Sequence, residues 1–139
     1  MSRSGYSDYC DGWDLIRWRG AVAQAIRGKR GQAFLREMIA ALDAMPEKRL
    51  IAHELQTASG EVCAMGAVGR LRGMDMSAID PDEPEDVSKA FGVAGAMVQE
   101  IAFLNDDFPE WMVNKGPDTD ALRWKHMRDW CMKNLKEVA

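Results

Sequence analysis

Apolar positions recur along this chain with the spacing of helices. Phe34, Leu35, Met38, Ile39, Leu42 and Met45 fall at i, i+1, i+4, i+5, i+8 and i+11, so they share one face of a helix over about Gln32–Met45. Pro46 ends it, because the residue before a proline is pushed out of the helical region. Upstream, Leu15, Trp18, Val22 and Ile26 form a stripe that predicts a helix over Trp13–Ile26, with Arg17, Gly20, Gln24 and Arg27 on the opposite face. Arg19 lies at the edge of the stripe, placed to lay its stem on apolar surface and pair with a carboxylate. Gly28 suits a left-handed cap on the first helix. The short turn from Gly28 to Gly31, around Lys29 and Arg30, then predicts a second helix running roughly antiparallel to the first.

Farther along, "CAMGAVGRLRG" predicts a helix whose small residues Ala64, Gly66, Ala67 and Gly69 allow close backbone approach, with Gly73 as its stop. Pro84 with Glu85 and Asp86 opens a short helix to Phe91. Gly92 separates it from a helix over about Ala94–Asn105, with Met97, Val98, Ile101, Ala102 and Leu104 inward. A last helix, capped by Asp118 or Thr119, carries Trp124, Met127, Cys131, Leu135 and Val138 on one stripe and Lys125, His126, Lys133 and Lys136 opposite. Leu50–Leu55 admits two readings. Ile51, His53 and Leu55 alternate as in a strand, "TASGE" is a turn, and Val62-Cys63 would start the return strand. A helix from Pro46 also accommodates Leu50, Ile51, Glu54 and Leu55, but the hairpin is favoured. Residues 1–11 are polar and read as a mobile tail. The expected fold is a mainly α, compact single domain over 12–139, with five or six helices and one short β-hairpin near 50–63.

Size and composition agree with this. A chain of 139 residues, 47% apolar and 29% charged, is long enough for one buried core. No stretch approaches the ~20 apolar residues of a membrane span, and the N-terminus lacks the apolar run of a signal peptide. Residence in a reducing cytoplasm is expected. Cys10, Cys63 and Cys131 are odd in number and widely spaced, so they read as free thiols. Ten Met and five Trp read first as core filler and second as an adaptable contact surface.

Charge is what changes the picture. From Leu15 to Arg36 there are six basic residues (Arg17, Arg19, Arg27, Lys29, Arg30 and Arg36) and no acid, in a chain of net charge −4. Asp75, Asp80, Asp82, Glu83, Glu85 and Asp86 crowd a single segment with two prolines. Solvated turns are the plain reading of both. The functional reading makes Arg17, Arg27, Lys29, Arg30 and Arg36, with Asp80, Asp82 and Glu83, a partner-binding surface. The spacing fits no phosphate-binding loop and no EF-hand. No His or Cys pair has metal-ligand spacing, so no metal and no cofactor are expected. Both Cys63 and Cys131 sit in apolar patterns, which argues against a thiol nucleophile, and Asp106-Asp107 read as turn or cap residues. No hydrolase, kinase or glycosidase motif is present. No catalytic residue is therefore assigned, and a non-enzymatic role is expected.

Four stretches, "WDLIRWRGAVAQAIRGKRGQAFLREMIAALDAMPEKRLIAHEL", "GEVCAMGAVGRLRGMDMS", "EIAFLNDDF" and "RWKHMRDW", resemble a family of small proteins of no established activity encoded by tailed bacteriophages and prophages. The likeness covers about residues 11–132. It is specific at Arg17 to Gly20, Arg27 to Gln32, Cys63 to Arg70 and the Asn105-Asp106 pair, while "PEWMVNKGPDTD" is longer than the family's usual link. The resemblance implies a phage setting and brings no catalytic residues. By analogy, small acidic phage proteins without enzyme motifs often bind and block host nucleases, restriction systems or CRISPR complexes. The expectation is an anti-defence protein of the anti-CRISPR or anti-restriction kind, binding a host protein or protein complex in the host cytoplasm. The alternative is a nucleic-acid-binding accessory protein using the first helix and the "RGKRG" turn; the net negative charge weighs against it. Segregated charge also suits a homodimer. No membrane partner is expected.

Overall fold

The computed structural model describes residues 12–107 and 117–136. Over these the chain forms six helices: α1 (Gly12–Arg27), α2 (Lys29–Ala44), α3 (Ala64–Leu71), α4 (Pro84–Phe91), α5 (Gly95–Asp106) and α6 (Pro117–Asn134). The expected tail over residues 1–11 and most of "PEWMVNKGPDTD" lie outside the described residues, as does Val138.

Helix α2 is the spine, packed against both α3 and α6; α1 lies on α5 and α2, and α4 on α5. Its heptad-like stripe is what the core closes over: Phe34, Leu35, Met38 and Leu42 are buried, and Ile39 half-buried. Removing each such side chain from water is worth ~1.5–3 kcal/mol. Val22 and Ile26 of α1, Met97 and Ile101 of α5, and Met127 and Cys131 of α6 complete the core. Phe34 meets Phe91 edge to face at 6.3 Å. The Arg72 guanidinium lies 5.7 Å from both ring centres while pairing with Glu37 at 2.6 Å.

Small residues let backbones touch. A Cβ on Gly66 would fall 1.8 Å from the Leu55 carbonyl oxygen, and one on Gly69 would fall 2.3 Å from Met76 Sδ. The close approach expected of α3 is therefore real, but its partners are loop residues. Gly73 and Gly92 hold φ of +72° and +73° and stop α3 and α4 as expected.

The sequence expectation fails at three joints. The first is the hairpin. No strand forms near 50–63, and neither does a helix; the segment crosses the core irregularly, with an isolated antiparallel bridge between Gln56 and Val62. Its backbone groups are satisfied partly within the segment, with Ile51 N–H donating to Val62 O, Thr57 N–H to Glu61 O and Cys63 N–H to Leu55 O, and partly outside it, with Leu50 N–H donating to Asp120 O. The turn itself is present, with Gly60 at φ +89° donating to Thr57 O. The second joint is Gly28. It is not left-handed but extended (φ −68°, ψ 164°), and it is the only residue between α1 and α2. Lys29 and Arg30 are therefore the first turn of α2, not a loop, and no connection of hairpin length exists between the helices. The third is the start of α6. Pro117 takes its first position, where a missing N–H costs nothing, so Asp118 and Thr119 lie inside the helix instead of capping it.

Candidate functional site

Gln32 explains how the α1–α2 junction is built. Its side chain is nearly fully buried. Nε2 donates to Ile26 O at the end of α1 (2.8 Å) and to Asn134 O at the end of α6 (3.1 Å), while Oε1 accepts from Lys136 N–H (2.8 Å). Lys136 Nζ in turn donates to Arg27 O (2.8 Å). One amide thus fastens three helix ends. Gly31 makes the fit possible, since a Cβ there would sit 2.0 Å from Ala25 O.

The cations of the same stretch take no part in this. Arg17, Arg27, Lys29, Arg30 and Arg36 are all exposed, and none pairs with a carboxylate among the described residues. Elsewhere arginines are committed: Arg19 to Glu100 (2.8 Å), Arg72 to Glu37 (2.6 Å), Arg123 to Asp120 (2.8 Å) and Arg128 to Asp43 (2.6 Å). The Arg19 pair is the one expected at the edge of the stripe, and its partner Glu100 is buried. At the junction the first turn of α2 contains no acid and Gly28 supplies no side-chain cap, so the positive end of the helix dipole adds to the charges of Lys29 and Arg30 in that turn. A hollow of about 260 Å³ opens beside Lys29 and Arg30, walled by Gln24, Ala94 and Met97.

The acidic segment divides differently. Asp75 Oδ1 accepts from both Ser77 N–H and Ser77 Oγ, which holds its carboxyl below the ordinary value. Asp80 Oδ1 accepts from Asp82 N–H (2.9 Å), closing a local turn. Glu85 and Asp86 sit in the first turn of α4, where negative charge suits the helix dipole. Asp82 and Glu83 are exposed. Most of this segment therefore serves its own loop, and no ion pair joins it to the basic junction among the described residues.

The thiols described are inaccessible. Cys63 is buried and its Sγ accepts from Gly66 N–H (3.4 Å), capping α3. Burial pushes Cys131 up to about 12, so it remains a thiol at any physiological pH. His126 is half-buried rather than solvated with the neighbouring lysines, and burial lowers its pKa. Among the described residues no three His, Cys, Asp or Glu side chains converge as metal ligands.

A buried polar cluster escaped the sequence reading. Asn105, Asp106 and Arg123 are almost wholly out of solvent. Asn105 Oδ1 accepts from Ala64 N–H (3.1 Å), and Nδ2 donates to Ile51 O (2.9 Å) and Asp106 Oδ1 (2.8 Å). Arg123 donates through Nε to Asn105 O (2.6 Å) and through Nη1 to Leu50 O (2.8 Å). Asp106 Oδ1 accepts from the backbone of His53 (3.0 Å), which is held at φ +71°. These contacts pin the strandless 50–63 segment to α5 and α6. One signal was available: Arg123 precedes Met127 and Cys131 by one and two helical turns, so it stands on the core stripe of α6.

Comparison with protein-family models, with curated proteins and with solved structures finds no match.

Proposed function

We propose that this chain is a non-enzymatic, phage-encoded accessory protein that binds a host protein in the host cytoplasm, as an anti-defence inhibitor of the anti-CRISPR or anti-restriction kind. One observation carries the reading: Arg27, Lys29 and Arg30 stand in solvent at the α1–α2 junction, with Arg17 and Arg36 exposed farther along the two helices, and among the described residues none of the five pairs with a carboxylate, while Arg19, Arg72, Arg123 and Arg128 are paired internally. A surface of this kind supplies steering and register to a partner of opposite charge. Exposed Arg side chains are also frequent anchors of binding energy. The resemblance to phage proteins supplies the setting. A protein partner is favoured over nucleic acid because the whole chain is acidic, at −4, and Asp82 and Glu83 add an exposed negative face that a polyanion would avoid.

The test is affinity capture from host lysate at low salt, comparing the wild-type chain with the triple variant Arg27→Glu, Lys29→Glu, Arg30→Glu. These side chains are exposed and make no hydrogen bond or ion pair among the described residues, so circular dichroism of the variant should match wild type. A host protein enriched by wild type and lost with the variant is the expected result. Equal capture by both, or no enrichment, overturns the reading. A parallel gel-shift titration with DNA and RNA addresses the alternative: a salt-sensitive shift abolished by Lys29→Glu with Arg30→Glu would transfer the assignment to nucleic-acid binding.

A further inference from the structure

A cleft of about 310 Å³ lies where the 45–51 segment, the 59–62 turn, α3 and α6 converge. That volume is at the lower end of sites that take small ligands, ~300–1,000 Å³. It shares no residue with the cationic junction. Its floor is apolar, with Met45 and Val62 buried and Ile51 half-buried. Charges of both signs surround that floor. Arg70 is set in place by donating to Gly60 O at 2.9 Å, and Asp120 is set by the buried Arg123 at 2.8 Å. Glu47 and Arg49 line the same cleft, are exposed, and pair neither with each other nor with another charged group among the described residues. Glu61, the remaining acid, accepts from Ser59 Oγ.

Two cations, Arg49 and Arg70, and three acids, Glu47, Glu61 and Asp120, around an apolar floor, are complementary to a ligand that brings both signs on an apolar body. We infer that the cleft binds a free α-amino acid with an aliphatic side chain. The guanidinium groups of Arg49 and Arg70 receive the carboxylate, for which their planar donor geometry is suited. Glu47 and Asp120 receive the ammonium group, and the side chain lies on Ile51 and Val62.

Saturation-transfer NMR on the full chain tests this, with leucine, isoleucine and valine as probes and N-acetyl-leucine and leucinamide as controls lacking one charge each. At least one free amino acid should show saturable transfer. Each control should bind at least tenfold more weakly, and Arg49→Glu and Glu47→Lys should each weaken binding by a similar factor. Both side chains are exposed and neither makes a hydrogen bond or ion pair among the described residues, so both variants should remain folded. No transfer from any free amino acid, transfer equal in the controls, or binding unchanged in both variants overturns the inference. The triple charge reversal at the junction should leave this binding intact, so the failure of either proposal is distinguishable from the failure of the other.

Discussion

Two glycines, one in each of the leading helices, do opposite things in this chain. Gly31 stands where an added methyl would collide with the Ala25 carbonyl oxygen, whereas the space around Gly20 is open. Gly31→Ala should therefore destabilise the fold by ~1–3 kcal/mol, the usual cost of forcing a methyl into packed structure. Gly20→Ala, in an exposed helix interior, should stabilise by ~0.5–1 kcal/mol. Urea denaturation of the two variants checks both signs. Asn105→Ala would strip a partner from Ala64 N–H and Ile51 O together; each buried group left unsatisfied costs ~1–3 kcal/mol, so its midpoint should fall further than that of any surface variant. Legibility at this scale follows from what a residue needs. The role of Arg19 was readable because the edge of an apolar stripe offers a long cationic side chain one kind of place. That of Asn105 was not, because its partners are loop carbonyls and amides from distant sequence, which no local pattern announces.

Elements were legible where their apolar period was long. The α2 stripe and the glycine stops of α3 and α4 came through because each rests on local chemistry. The hairpin did not form because alternation over Ile51, His53 and Leu55 describes equally well an irregular segment tied down by side chains: a few cross-bonds and one bridge join its two arms, while Asn105, Asp106 and Arg123 take Ile51 O, His53 N–H and Leu50 O, groups that a regular ladder would have paired. The α2–α6 seam carries a test of its own. Trp124 Nε1 donates to Leu42 O at 3.0 Å, and the hydrogen bond from Arg128 holds the Asp43 carboxyl below its ordinary value of 3.8. A depressed carboxylate contributes stability above its unfolded value and loses it as pH falls through the folded one. Arg128→Ala should therefore be slightly less stable than wild type at neutral pH, an exposed pair being worth little. In thermal melts the difference should close below about pH 3.8.

For the molecule as a whole, the segregation of charge read from sequence was informative about exposure but not about use. Of the six basic residues between Leu15 and Arg36, one is spent on Glu100 and five are left to solvent; the stripe set Arg19 apart from the others, and the folded chain supplies its partner. If the five steer a partner, the association rate should fall steeply between low salt and 0.15 M, where the screening length is ~8 Å, while dissociation changes little. Stopped-flow mixing at several ionic strengths would show it. The sealed sulfur atoms of Cys63 and Cys131 make such experiments convenient. With Cys10 replaced by serine, a dye-maleimide offered to native protein at neutral pH would find neither of them. A cysteine substituted at the exposed Ala23 of α1 would then carry the fluorophore alone, beside the junction, where energy transfer to a labelled partner can be followed in real time.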